Sequence, residues 1–481
     1  MPARGGSRAF GPEDEAFRPS VGDVAREAVH GEVLESAATL VGQGLRDKIR
    51  GVDQPMVLAT LMLFASVAGL AAVYVASGYY QQGSFDHLLS FSAADPPGPM
   101  WPEMYPDPFG VHFFGDFLLP LRQGELWAPF HTPGIFVAVY PLFANVVIAP
   151  FDLLPYTLAT ILFLTISVVV LLVPLYVLLD GRKVTERLLL VGPLLLTHPL
   201  IHTIDRGNLQ GLVVGAALFG MVAYLRSNYG VAGVWFGIAA AMKGYPILLL
   251  LLLVRERAWK GLWLGLGTGA LATVVTAFAF EGGVVHNLRS FWRASSMFRD
   301  PGIHDLIRWN QSFKGLFASV TVLGPSVLNG MAQWMMDQYG LVLFCCGTVL
   351  MLSAVVRSTS LLSATTYICV VAAMGMDLSR GYNPLMFLLV IAVVFADSAE
   401  RDLTTLAVLG LLAVFLAPKG VALGEQRIAL STIANPLLAS AMVLLLGIRD
   451  IRSGLDRWRA RHLAVEISDS ADESGEASVS A

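Results

Sequence analysis

Long apolar runs separated by short charged turns dominate this chain. Uninterrupted runs stand at about 56–77, 156–179, 188–204, 209–225, 262–280, 339–356, 361–376, 384–396, 403–417 and 433–448. Two more are irregular: the run at 134–149 is short, and the run at 231–253 is broken by M-K-G-Y-P, Met242 to Pro246. A helix that crosses a bilayer needs roughly 17–25 apolar residues. The pattern therefore predicts an all-α polytopic membrane protein with about 10–13 membrane segments. Residues 56–448 make up the membrane module. Four polar stretches interrupt or flank it: a leader over 1–55, a first loop over 78–133, a second over 281–338, and a tail over 449–481.

Charge gives these stretches a side. Lys and Arg collect on the cytoplasmic ends of spans, so Arg46, Lys48 and Arg50 hold the N-terminus inside. Arg255, Arg257, Lys260, Arg357, Arg401 and the basic stretch after Asp450 fall inside on the same count. Both long loops and Asp377–Asn383 are then extracytoplasmic, and both termini are cytoplasmic. One region resists this bookkeeping. The charges of Gly181–Arg187 belong inside, yet two full crossings from 134 would put them outside. Either 134–149 is re-entrant or the charge rule fails there, and the topology of 134–187 stays open. No apolar run lies near the start, so the first span is expected to remain as an anchor. The end from Glu466 is acidic, Ser-rich and free of aromatics, which predicts disorder. No internal repeat stands out.

Of the 481 residues, 55% are hydrophobic and 14% charged, which leaves no room for a sizeable soluble domain. A net charge of −4 gives no electrostatic ground for binding nucleic acid. Cys345, Cys346 and Cys369 all lie in apolar runs, so neither a disulfide framework nor a thiolate metal site follows. A Walker loop, H-E-x-x-H, G-x-S-x-G and a dinucleotide fingerprint are absent from the sequence. No D-x-D stands in an outer loop. A nucleotide-driven pump, a zinc peptidase and an enzyme using a metal-bound nucleotide sugar are all disfavoured.

The first loop holds G-D-F-L-L-P-L-R-Q-G-E-L-W, Gly115 to Trp127. Asp116 has two readings there: a general base facing the outer leaflet, or an N-cap for the F-L-L-P-L segment behind it. Asp86, Asp95, Glu103, Asp107 and Glu125 compete for the first role, but 94–110 is so rich in Pro that its acids are not expected on a rigid element. Three cations stand out because ionisable groups in or beside a span are costly and usually face a cavity or a partner. Arg206 lies in D-R-G-N between two apolar runs, Lys243 lies in A-A-A-M-K-G-Y-P, and Arg380 lies in D-L-S-R-G-Y-N. The alternative is structural pairing, Arg206 with Asp205 or Arg380 with Asp377. The second loop adds Arg289, Arg293, Arg299, Arg308 and Lys314, with His286 and His304. It is read either as an anion site or as an amphipathic helix lying on anionic lipid. In R-W-N-Q-S-F-K-G-L, Arg308, Asn310, Gln311 and Ser312 are polar groups just ahead of an apolar run.

Taken in order, G-D-F-L-L-P-L-R-Q-G-E-L-W, D-R-G-N-L-Q-G-L, G-I-A-A-A-M-K-G-Y-P-I-L-L-L, N-Q-S-F-K-G-L and S-R-G-Y-N-P-L resemble the landmarks of glycosyltransferase family 87, of the C-type superfamily. The resemblance covers most of 56–448. It implies a C-type fold, a catalytic Asp116 in the first outer loop, and a polyprenyl-phosphate sugar donor used without nucleotide, cofactor or metal. Mannose or arabinofuranose would pass by an inverting single displacement to an envelope glycan or glycolipid at the membrane. Lys243, Arg380, Arg206 and Arg308 would meet the phosphate. Tyr245, Tyr382, Asn383, Asn208, Asn310, Trp309 and His131 would complete the substrate site. The long Pro-rich insert before Asp116, the leader, and Asn208 where many relatives carry Gln depart from the family pattern. A lipid-linked sugar flippase and a non-catalytic envelope scaffold are the competing readings.

Overall fold

A computed structural model describes residues 51–79, 116–117, 140–296, 307, 310–396, 399–419, 422–423 and 428–476. The described chain is helical almost throughout. It opens with α1 (Gln54–Tyr79), α2 (Leu142–Ile148), α3 (Tyr156–Leu178), α4 (Val184–Val191), α5 (His198–Arg206) and α6 (Gln210–Leu225). Next come α7 (Tyr229–Lys243), α8 (Leu250–Arg255), α9 (Trp259–Ala279), α10 (Gly283–Ser296), α11 (Phe313–Leu323) and α12 (Ser326–Asp337). The last part holds α13 (Tyr339–Val355), α14 (Leu361–Met374), α15 (Leu388–Phe395), α16 (Leu403–Leu416) and α17 (Leu430–Glu476). Two-residue strands at Ala422–Leu423 and Ile428–Ala429 pair antiparallel just before α17.

Among the described residues, four stretches are long and apolar enough to cross a membrane: Gln54–Val75, Thr157–Leu178, Trp259–Ala279 and Leu430–His462. Two bent pairs and seven shorter apolar helices accompany them. This is the all-α polytopic architecture that the hydropathy pattern predicts. Residues on α1, α3, α9 and α13 such as Phe64, Val169, Phe278 and Phe344 are exposed, as a lipid-facing belt requires. The centre is α6, where all but three residues are buried. A helix apolar on every face belongs inside.

Several expectations are corrected. The run at 188–204 is not one straight span: α4, a 3-10 turn over Gly192–Leu196 and α5 bend by 64°. Pro193 and Pro199 each open the piece they begin, where a missing N–H costs nothing. The second polar loop is largely helical, carrying α10, α11 and α12. The tail expected to be disordered from Glu466 continues α17 to Glu476. Helix α2 runs on into a 3-10 turn over Ala149–Leu153, so this apolar helix spans Leu142–Leu153, about 20 Å of rise against roughly 30 Å of hydrocarbon.

Helix α7, which carries Lys243, is fixed by backbone contact with α9. A Cβ built at Gly233 would stand 2.0 Å from the Gly261 carbonyl oxygen, and one at Gly237 2.3 Å from that of Gly265. Small residues let helix backbones approach this closely where lipid supplies no hydrophobic drive. At the end of α6 remote from Gln210, charges close the bundle. Arg255 donates to the carbonyls of Ala354, Val356, Arg357 and Thr359. Arg357 answers with bonds to the carbonyls of Arg255 and Glu256. Arg449, 8% exposed, donates to Thr405, Ser360 and Ser363 and lies 3.3, 3.7 and 3.5 Å from Glu400, Asp402 and Asp450.

Candidate active site

Helix α5 ends at Arg206 because Gly207 takes a left-handed conformation, φ +59°. The N–H of Asn208 then returns to the Thr203 carbonyl at 3.0 Å, a Schellman-type closure that a side chain at Gly207 would strain. This turn aims Arg206 and Asn208 at one point, and Asp116 occupies it. Arg206 Nη2 donates to Asp116 Oδ1 at 2.8 Å, and Asn208 Nδ2 donates to Oδ2 at 2.7 Å. The carboxylate is held from behind by its neighbour Phe117. Phe117 is fully buried, stacks on Phe163 at 4.2 Å and meets Phe151 edge-on at 5.4 Å.

Asn208 is the hub. Its Nδ2 also donates to the Tyr140 hydroxyl at 3.1 Å, and its Oδ1 accepts from the Gln210 N–H at 2.9 Å and from Lys243 Nζ at 3.1 Å. Lys243 donates a second bond to Gln210 Oε1 at 2.8 Å, and Tyr245 donates its hydroxyl to the same oxygen at 2.5 Å. Gly244, at φ +77°, makes the turn that sets Lys243 and Tyr245 on one side of this break. Lys243 Nζ also sits 4.4 Å from the centre of the Tyr382 ring. A cation over an aromatic face is attracted by the ring quadrupole.

Tyr382 belongs to the loop between α14 and α15, and so does Arg380. Arg380 is half-buried, and its charge acts on Asp116. Its guanidinium makes no ion pair with any described residue, because Asp377 pairs instead with Lys314 at 3.3 Å. Burial alone would raise the Asp116 pKa. Arg206 in ion-pair contact, the Asn208 amide and the charge of Arg380 outweigh it and hold the carboxyl below its ordinary 3.8.

Asp116, Arg206, Asn208, Lys243, Tyr245, Arg380 and Tyr382 are therefore gathered in one place. Neither structural pairing proposed for the cations forms: Arg206 turns to Asp116, and Lys314 takes Asp377. Asn310 is different. Its amide donates to the Asp377 carbonyl at 2.6 Å and accepts from the N–H of Ser312 and Ser379 at 3.0 and 2.7 Å. It is spent on backbone and positions the Arg380 loop. Asn383, 4% exposed, lies on the buried side of that loop and donates to Ser379 Oγ at 3.4 Å. Arg308, Trp309 and His131 lie outside the described residues. Arg289 and Arg293 sit on α10, which follows α9 in the chain.

Five contributors escape sequence reasoning. Phe117, Tyr140 and Gln210 carry no signal of their own. His198 and His202 do: with Arg206 they recur every four residues and so share one face of α5. His202 stacks on Tyr382 at 5.7 Å and on His198 at 5.6 Å. A Cβ at Gly381 would come within 3.0 Å of His202 and 3.1 Å of His198, so the loop is seated against that face. Among the described residues, no three His, Cys, Asp or Glu side chains cluster as metal ligands.

The profile of glycosyltransferase family 87 matches residues 138–379, half of the chain and most of the elements that build this site. No curated protein and no solved structure matches the chain significantly.

Proposed function

The chain belongs to glycosyltransferase family 87, and from that premise we propose that it transfers a sugar from a polyprenyl-phosphate donor to a hydroxyl of an envelope glycan or glycolipid. Mannose and arabinofuranose are the sugars that the motif order favours. One observation carries the reading. Among the described residues a single carboxylate, Asp116, is in ion-pair contact within this group of three cations, and Lys243 and Arg380 make no ion pair there. Charges kept at such cost beside apolar helices call for an anionic guest, and a lipid-linked sugar phosphate supplies one from within the bilayer.

In the proposed reaction, Asp116 accepts a proton from the acceptor hydroxyl. That oxygen attacks the anomeric carbon from the face opposite the phosphate. The bond from that carbon to the phosphate oxygen breaks, its electron pair leaves with the phosphate, and the anomeric configuration inverts. Arg206 and Asn208 fix the carboxylate and keep it ionised at neutral pH. A positioned base contributes roughly 10²–10⁴-fold. Charge develops on the leaving phosphate, so preorganised cations placed there should matter at least as much. Lys243 and Arg380 are suited to that task, and the Tyr382 face and the Tyr245 hydroxyl are suited to a sugar ring.

The test is direct. Purified protein is given labelled polyprenyl-phosphate mannose or arabinofuranose with an acceptor glycan, and glycosidic product is measured. Product from the lipid phosphate sugar supports the proposal. Movement of intact lipid across liposomes without product would overturn it in favour of a flippase.

A further inference from the structure

Helix α17 buries one face and leaves the opposite one bare. Ala439, Met442 and Leu446 are fully buried against the bundle. Up to His462, the exposed large apolar residues on the helix lie on the other side: Leu437, Leu444, Ile448, Ile451, Leu455 and Trp458, all between 41 and 65% exposed. From Leu444 onward the spacing is four, three, four, three. That is the heptad seam of a coiled coil, with Ile448 and Leu455 at a and Leu444, Ile451 and Trp458 at d.

Lipid covers the membrane part of this stripe but does not reach its end. Arg449 and its three carboxylates mark the polar boundary of the bundle. At 1.5 Å per residue, Leu455 stands about 9 Å and Trp458 about 13 Å beyond Arg449 along an unbroken helix. The headgroup layer is only about 5–8 Å deep on each side. An apolar stripe that continues past the lipid marks an interaction surface. Its geometry fits a second copy of the same helix. Two chains embedded in one bilayer meet in parallel; Ile448 at a favours two strands, whereas Leu455 at a with Ile451 at d favours more, so a trimer or tetramer in a mass measurement counts against a two-stranded seam. In a parallel pair each g position faces the e position five residues on. Here Gly447 faces Arg452 of the other copy and Gly454 faces Arg459, so no like charges meet. Nothing lies within 4 Å of a Cβ built at Gly454, so a neighbouring helix has room to approach.

We infer that the protein is a parallel homodimer joined through α17, with Ile448, Ile451, Leu455 and Trp458 at the seam. This does not depend on which sugar is transferred. The test uses full-length protein in membranes with Cys345→Ala and Cys346→Ala, so that one introduced thiol reports. Ile451→Cys and Leu455→Cys should each cross-link to a dimer on oxidation, and Arg457→Cys, on the far face, should not. Mass measurement in nanodiscs should show a dimer for the wild type and a monomer for Ile451→Glu/Leu455→Glu, with transfer per chain retained as the sign of folding. A wild-type monomer, or equal cross-linking at all three positions, would overturn the inference. So would a wild-type monomer that dimerises only after residues 1–50 are deleted, because the leader would then be the segment that covers the stripe.

Discussion

Two charged clusters sit at opposite ends of α6, and their accounts balance differently. At the Tyr224 end, Arg255, Arg357 and Arg449 face Glu256, Glu400, Asp402 and Asp450, and they donate further to carbonyls and hydroxyls. At the Gln210 end, Arg206, Lys243 and Arg380 share one described carboxylate in contact, Asp116, with the charge of Asp205 acting on Arg206 besides. Both ends keep costly cations beside apolar helices. Among the described residues, only the first has a carboxylate for each cation. On the proposed function, a matched cluster holds elements in place and an unmatched one holds an anionic substrate. If that distinction is right, mutations at the two ends should separate stability from activity.

The largest effect is expected from Asp116→Asn. The amide keeps the shape but cannot take the acceptor proton, and its NH₂ faces the donors of Arg206 or Asn208. Transfer should fall by roughly 10²–10⁴-fold with little change in donor binding, and melting should drop somewhat because Arg206 loses its counter-charge. Turnover at the wild-type rate would remove Asp116 from the chemistry.

Next comes Arg449→Met at the matched end. Removing one partner of a buried ionic network costs up to about 3–5 kcal/mol, less here because Glu400 and Asp402 are 57 and 37% exposed and can hydrate. The variant should melt earlier, while kcat per folded molecule stays at the wild-type value. A loss of kcat with unchanged melting would mean that the two ends are not distinct.

Lys243→Met is the mirror experiment. Met keeps the length and the contact with the Tyr382 ring, and no carboxylate loses its partner. Stability should hold or rise, whereas transfer should fall by about 10²–10³-fold, as when one fixed donor to a developing charge is lost. Melting that drops as far as in Arg449→Met would show that Lys243 is structural.

How much of this could be read from residues alone follows from the same physics. Arg206, Lys243 and Arg380 announce themselves because a cation in an apolar run needs a reason. Asp116 is one acid among several in a polar loop, and it is singled out by motif order rather than by cost. Its support is nearly silent: Phe117 is one aromatic among 26 phenylalanines, and nothing in the sequence shows that it stacks on Phe163. Two prolines mark the bend within 184–206, but hydropathy continues across it and predicts one span. The tail misled by composition. Its acidic residues would not start a helix, but α17 arrives already formed from the membrane, so the nucleation cost is met upstream.

Arg206→Gln probes the one carboxylate through its titration. In the wild type, Arg206 and Asn208 hold the Asp116 pKa below 3.8, so a base at this position stays ionised, and transfer should be flat from neutral down to mildly acid pH. Without Arg206, burial is less opposed and the pKa rises. Protonation then removes the base at higher pH, so the acid limb of the kcat profile should move upward. An unmoved limb would mean that the ion pair does not tune the reacting group.

The smallest effect is expected from a pair that belongs to neither cluster. Arg182 grips Asp53 with two bonds, 2.6 and 2.9 Å, tying the entry of α1 to the turn before α4. The hydrogen bond from Arg182 is the main cause that holds Asp53 below its ordinary 3.8. The side chains are 29 and 43% exposed, so water and salt screen the pair, and Asp53→Asn should cost only about 0.2–1 kcal/mol. Because the folded pKa is the lower one, that contribution is full above pH 3.8 and fades as pH falls through the folded value. Wild type and variant should differ slightly in melting at neutral pH and converge in strong acid. A gap as large as that of Arg449→Met would show that ion pairing at this end of the bundle counts regardless of burial, and the contrast between a matched buried cluster and an open one would lose its basis.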